Sequence, residues 1–143
     1  MAVNFSTAVR IAMLDAIETA IGANARIRFY SGSKPAACSD ASTGTLLATM
    51  ALTGASGDWL SGASAASNVV TKVKNPSSTW STTGLAAGTI GYYRIYDAAE
   101  SVCHEQGSVT VTGGGGDITV DNTSIGVGQT ITITGKTLTA GNA

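Results

Sequence analysis

The first apolar pattern along the chain has the period of a helix. Val9, Ala12, Met13, Ala16, Ile17 and Ala20 recur at three- and four-residue spacing, so they share one face. Leu14 and Ile21 widen that stripe, while Arg10, Asp15 and Glu18 fall mostly away from it. Asn4 or Ser6 can cap the start, and Gly22 is a natural stop. Such a stripe must lie on something. Two surfaces qualify: one end of the chain's own β domain, or a neighbouring subunit.

After Gly22 the period drops to two. Arg26 to Tyr30 alternates polar and apolar, as a half-buried strand does. Leu46, Ala48, Met50 and Leu52 form a second alternating run. Val69, Thr71 and Val73 give a third, with Lys72 and Lys74 on the other face and Pro76 ending it. Tyr92 to Tyr96 is an aromatic strand. Val102 to Gln106 and Ser108 to Val111 read as one bent strand broken at Gly107. Asp117 to Val120, Gln129 to Thr134 and Lys136 to Thr139 complete the set, with Ile131 and Ile133 on one face. Gly113 to Gly116 reads as a flexible hairpin connection, and Thr53 to Asn68 as a long surface loop.

About seven to nine short strands separated by Gly, Ser and Asn turns predict a mainly β domain, an antiparallel β-sandwich of jelly-roll or immunoglobulin-like order. One N-terminal α-helix precedes it. The predicted layout is a single domain: arm and helix over 1–22, sandwich over 25–139, tail over 140–143.

Composition narrows the function. The chain has 143 residues, a net charge of −1 and 12% charged residues, so no basic patch argues for nucleic acid. A surface of Thr, Ser, Gly and Ala carries few long side chains, and ordering it against a partner costs little side-chain entropy. The opening MAVNFSTAVRIAMLDAIETAIG is interrupted by Arg10, Asp15 and Glu18 and lacks the apolar run of a signal peptide. No stretch approaches the roughly 18 apolar residues of a membrane helix. The expected compartment is a cytoplasm. Two cysteines, Cys38 and Cys103, make no disulfide framework. There is, however, an internal echo. Arg28-Phe29-Tyr30 is followed eight residues later by Cys38, and Arg94-Ile95-Tyr96 seven residues later by Cys103. If the two strands occupy related positions, the cysteines sit near one another. They are then either two buried free thiols or a pair that oxidises slowly after cell lysis.

Candidate chemistry is sparse. His104 follows Cys103 directly, but neighbours on a strand point to opposite faces and cannot pair as thiol and imidazole. Gly135-Lys136-Thr137 lacks the upstream glycine of a phosphate loop, since Thr130 stands there. One His and two distant Cys are not zinc spacing. Asp97, Asp117 and Asp121 are calcium-ligand types but read better as turn aspartates. Trp59, Trp80, Tyr92 and Tyr96 are the residues from which an aromatic sugar platform would be built. No catalytic residue, metal site or cofactor is expected, and the chain reads as a non-enzyme.

Five segments occur in order: LDAIETAIG, IRFYSGSKPAAC, TGTLLATMAL, GYYRIYD and DNTSIGVGQTITITGKTLTAGNA. Together they resemble a group of short tailed-bacteriophage virion proteins, typically encoded among head and capsid genes. The resemblance spans nearly the whole chain, in segment order and texture rather than in a biochemical motif. It implies a virion structural protein on the capsid surface, a decoration or cement protein assembled in the host cytoplasm. Its implied partners are the major capsid protein and sister subunits, a trimer being favoured, with no direct nucleic acid and no membrane contact. Contacts are expected at Val3 and Phe5, at the loop around Trp59 and Leu60, and in the C-terminal tail, because exposed segments and aromatic anchors carry interfaces. The alternatives are a tail or head–tail connector component and a host-surface carbohydrate-binding module. A hydrolase lacks any acid/base constellation here.

Overall fold

The computed structural model describes residues 3–54 and 58–141. Helix α1 covers Thr7–Ile21. Ten strands follow: β1 Arg26–Ser31, β2 Leu46–Ala51, β3 Ser64–Ala66, β4 Val69–Val73, β5 Ser81–Thr83, β6 Gly88–Tyr96, β7 Cys103–Val111, β8 Ile118–Val120, β9 Ser124–Ile125 and β10 Thr130–Gly141. The fold is mainly β with one N-terminal helix, as the periodicity predicts.

The strands form one ten-stranded mixed sheet in the order β2-β1-β6-β7-β8-β10-β4-β3, with β5 on β10 and β9 on β6. The sheet curls. β4 and β5 follow one another along the same edge of β10. At the far end, β5 reaches β2: Thr82 Oγ1 donates to the Thr49 carbonyl at 2.9 Å, and the Leu85 N–H to the Leu47 carbonyl at 2.8 Å. The enclosed core is continuous from Ile27 and Phe29 through Tyr93 and Ile95 to Ile118, Val120, Ile131 and Ile133.

Four details depart from the predicted layout, each for a local physical reason. First, Leu47 and Ala48 are both buried, which breaks the alternation of β2. The register pairs Phe29 with Ala48 and Tyr30 with Leu46, so Leu47 is an extra, bulged residue. Second, on β4 the inward face is Val70 and Lys72, while Val69 and Val73 are about two-fifths exposed. In Val-Val-Thr-Lys-Val each phase offers valine to the core, and Lys72 turns inward with Val70 because it finds partners there. Third, the expected break at Gly107 is absent and β7 runs unbroken; likewise β10 joins two predicted runs and continues to Gly141, taking in part of the expected tail.

The fourth departure is topological. Gly113–Gly116 does not close a hairpin, because β7 and β8 are parallel, with Val109 opposite Ile118 and Val111 opposite Val120. Parallel neighbours ordinarily need a crossover of about a dozen residues or more. Here the chain doubles back flat over Thr110 instead. The Gly114 N–H donates to the Val111 carbonyl at 2.9 Å and the Gly116 N–H to Thr110 Oγ1 at 3.0 Å. A Cβ on Gly114 would stand 2.7 Å from Thr110 Cβ, and one on Gly116 would stand 2.9 Å from the Thr110 nitrogen. Gly113 and Gly115 take φ of 86° and 78°, where a Cβ is strained. Asp117 fastens the far end by accepting from the Ser108 N–H at 2.8 Å and Ser108 Oγ at 2.7 Å.

The stretch Thr53–Asn68 is not a simple surface loop. Trp59 and Leu60 are 0% and 1% exposed, and Leu60 bridges Lys74 beside β4. Trp59 packs on Trp80 with ring centroids 6.2 Å apart.

Candidate interaction face

Helix α1 is capped as its sequence suggests. Ser6 Oγ accepts from the Val9 N–H at 3.3 Å, and Gly22, at φ 86°, returns its N–H to the Glu18 carbonyl. Its orientation on the sheet is the surprise. The side facing β4 and β10 holds Arg10, Leu14 and Ile21 buried, with Ile17 and Glu18 half-buried. Two of the three charged residues predicted to point away therefore point in.

Each inward charge has partners. Lys72, only 6% exposed at its side chain, donates from Nζ to Asp15 Oδ1 and Glu18 Oε2, both at 2.8 Å. Glu18 Oε1 also accepts the Leu60 N–H at 2.9 Å. Burial works against the charge on Lys72, but the hydrogen bonds and attraction from the two carboxylates outweigh it, so the amine titrates above its ordinary value. The Arg10 guanidinium donates to the Asn68 carbonyl, to Asn68 Oδ1 at 3.3 Å and to the Ala140 carbonyl at 3.3 Å. These charged ties, with Leu14 between them and Ile21 beyond, fix the rotation of the helix.

That rotation turns the predicted stripe outward. Val9 is 44% and Met13 49% exposed, and Ala12, Ala16 and Ala20 are exposed with them. At 3.6 residues per turn, the stripe centre lies roughly 90° around the helix from its buried seam. Ile17 belongs to both, as do Leu14 and Ile21 at the stripe's margin. Phe5, 44% exposed, continues the face just before the helix begins, and Val3, 70% exposed, lies further along the arm. Phe5, Met13 and Ala16 line a groove of about 620 Å³ whose other wall is Thr139–Gly141 of β10. The outcome is a mainly apolar surface from Phe5 along the helix, with Arg10 at the floor of its groove.

Of the four residues expected to carry contacts, Val3 and Phe5 lie exposed on the arm, with Phe5 lining the groove. Trp59 and Leu60 do not: they are core residues, and the segment carrying them is pinned by the Glu18 carboxylate and by β4. Aromatic and aliphatic side chains in a Gly/Ser-rich stretch read as surface anchors only while their neighbours in space are unknown. Val9 and Met13 were legible as apolar, but their outward direction was not. It follows from Lys72, whose inward phase the sequence leaves open.

The other candidate groups are absorbed by the fold. Trp59, Trp80, Tyr92 and Tyr96 are buried, so these four rings form no exposed platform. Asp97 accepts from Ser101 and Val102 backbone N–H groups and from Ser101 Oγ, which hold its carboxyl below the usual range. Asp121 accepts from the Asn122 and Thr132 N–H groups. Among the described residues no cluster of His, Cys, Asp and Glu could hold a metal. Lys136 is buried in β10, paired with Glu105, which also accepts from the Tyr93 hydroxyl. Burial first, and then the Glu105 charge, push the Tyr93 phenol far up, so its hydroxyl stays a donor. His104 is exposed on β7, at the register shift between Glu105 and Cys103.

Arg94 holds a second structural centre. It is 2% exposed and donates to the Asp40 carbonyl at 2.8 Å, the Ala37 carbonyl at 3.1 Å and Gln106 Oε1 at 3.1 Å. Gln106 in turn donates to the Pro35 carbonyl at 2.9 Å, and the Tyr92 hydroxyl to the Thr43 carbonyl at 2.7 Å. Segment 32–45, between β1 and β2, is thereby laid over β6 and β7. The chain's likeness to other proteins adds nothing to this geometry: no protein-family model matches it, and no curated protein and no solved structure is significantly similar.

Proposed function

We propose that this chain is a bacteriophage virion structural protein, a decoration or cement subunit that binds the assembled major capsid protein lattice. One observation carries the binding part of this reading. The helix spends its ionic side on its own sheet and presents a mainly apolar side outward, from Phe5 through Val9 to Met13. Exposed apolar surface grouped in this way marks an interaction site. The virion part rests on the segment resemblance. A ligand selective for the assembled lattice stabilises that lattice by mass action, and several subunits on a symmetry axis add avidity. A sugar-binding role is disfavoured by the burial of Trp59, Trp80, Tyr92 and Tyr96.

The test is co-sedimentation of the purified protein with expanded heads that lack it. Saturable binding at a lattice stoichiometry, with heads then surviving higher temperature, supports the reading. Protein found instead in isolated tails moves it to a tail or connector component. Met13→Asp tests the face itself. Met13 is half exposed, and burying the rest of such a side chain is worth about 1 kcal/mol, with a buried unpaired carboxylate adding more. Binding should weaken at least about tenfold, while the unfolding temperature falls by only about 2–5 °C, the share of Met13 already packed on its own fold. Undiminished binding by Met13→Asp would remove the helix from the interface.

A further inference from the structure

Cys38 and Cys103 stand far apart in sequence, yet the fold delivers them to one place. The register of β6 and β7 sets Cys103 opposite Tyr96 and Gln106 opposite Arg94. Cross-strand partners project to the same side of a sheet, so Cys103 shares a face with Arg94, Tyr96 and Gln106. That is the face over which segment 32–45 is laid. Arg94 grips the carbonyls of Ala37 and Asp40, on either side of Cys38. Gln106 holds Pro35, and Ser42 Oγ meets the Tyr96 hydroxyl at 3.1 Å. The Ala37 N–H also donates to Asp40 Oδ2 at 2.8 Å, which closes a turn around Cys38. Cys38 is thereby brought close enough for its side chain to help raise the Cys103 thiol, while Cys103 Sγ itself donates to the Glu105 carbonyl at 3.5 Å. Both are reduced and half-buried.

We infer that Cys38 and Cys103 form a reversible intramolecular disulfide that staples segment 32–45 to the start of β7 when the protein meets an oxidising small-molecule disulfide. The exchange balances as two displacements. One cysteine thiolate attacks the small disulfide, forming a mixed disulfide and releasing one small thiolate. The second cysteine thiolate then attacks the protein sulfur of that mixed disulfide and releases the other. The protein dithiol is oxidised by two electrons, one small disulfide is reduced to two thiols, and the two cysteine protons end on those thiols. Burial, and then the hydrogen bond with Cys38, push the Cys103 thiol up to about 12. Cys103 is therefore a poor first nucleophile, and Cys38, on the outer segment, opens the sequence while Cys103 resolves it. The preorganised contact makes closure faster than loss of the mixed disulfide.

In a reducing cytoplasm the pair stays open, and it closes on release into oxidising surroundings. The chemistry is independent of the capsid reading. A particle component that passes from a host cytoplasm to the outside would meet that change of potential once.

The experiment incubates the folded full-length chain with mixtures of oxidised and reduced glutathione, quenches with a maleimide, and reads intact mass and a peptide map. The expected product is monomeric, has lost two hydrogens and both maleimide sites, and yields one Cys38–Cys103 linked peptide. The oxidised form should unfold at a Tm raised on the order of 10 °C, and added reductant should reverse the shift. Cys38→Ser and Cys103→Ser should each show no reversible shift. Three outcomes would overturn the inference: a glutathione adduct that persists at Cys38 without closing, disulfide-linked dimers as the main product, or two thiols that stay unreacted while remaining available to maleimide after denaturation.

Discussion

Replacing Lys72 by Met is the sharpest test of how the helix is held. The amine is almost fully buried and meets Asp15 and Glu18 at 2.8 Å each. Met keeps most of the stem volume and removes the charge. Glu18, 12% exposed at its side chain, is then left as an uncompensated carboxylate, though it still accepts the Leu60 N–H. Removing one partner of a buried pair costs about 3–5 kcal/mol. Asp15 is half exposed, which returns part of that cost to water, so about 2–3 kcal/mol is expected. For a chain of this length the fall in Tm is roughly 5–10 °C. Thermal and urea unfolding followed by circular dichroism measure it. Pairing Lys72→Met with Glu18→Gln, which keeps the acceptor for Leu60, should cost less than the sum of the single changes, by about 1–2 kcal/mol. The pH dependence has a fixed sign. Lys72 is raised above its ordinary value of 10.5, so its contribution is complete below that value and is lost as pH climbs through the folded value. Lys72→Met should flatten that alkaline loss. A neutral or stabilising Lys72→Met would refute the claim that ions, rather than the apolar stripe, set the helix rotation.

Four further substitutions probe the rest of the fold. Gly114→Ala and Gly116→Ala each push a methyl into Thr110 and should destabilise by about 1–3 kcal/mol in urea unfolding, whereas Gly126→Ala, with only the flexible end of Gln129 nearby, should be nearly neutral; equal effects at all three would dismiss the flat return over β7. Hydrogen bonds from the Ser108 hydroxyl and N–H hold the Asp117 carboxyl below its usual 3.8, so its stabilisation is present above that pH and fades as pH falls through the folded value. Asp117→Asn should therefore be less stable than wild type at pH 6, with the gap narrowing under acid titration, and a gap that stays constant with pH would contradict this.

Much of the architecture was legible from period alone. Helix α1, its Ser6 and Gly22 ends, the aromatic β6 and the paired Ile131 and Ile133 all follow from local pattern, because each is set by neighbours close in sequence. The internal echo also had a physical basis: Arg28 and Arg94 are cross-strand partners of β1 and β6. What failed was everything decided at long range. The phase of β4 is ambiguous in Val69 to Val73, and only the carboxylates of α1, far upstream, resolve it. The burial of Trp59 and Leu60 depends on β4 and Glu18, not on the Gly/Ser-rich residues around them. Gly113 to Gly116 carries a turn signal of the right strength, but composition does not say whether the chain leaves the turn antiparallel or parallel. The outward apolar face of α1 was half visible: its residues form one stripe in the sequence, and their exposure does not follow from it.

The packed indoles have a practical corollary for anyone measuring binding. The chain has two tryptophans, both sealed in the core and tilted 47° to one another, and the outward stripe of α1 carries none. Intrinsic fluorescence is consequently a reporter of unfolding and is blind to docking. Emission should be that of apolar surroundings in the native protein and shift to the red on denaturation. It should stay unchanged when the helix face is covered, so an occupied face must be read by mass, sedimentation or a dye placed on the arm.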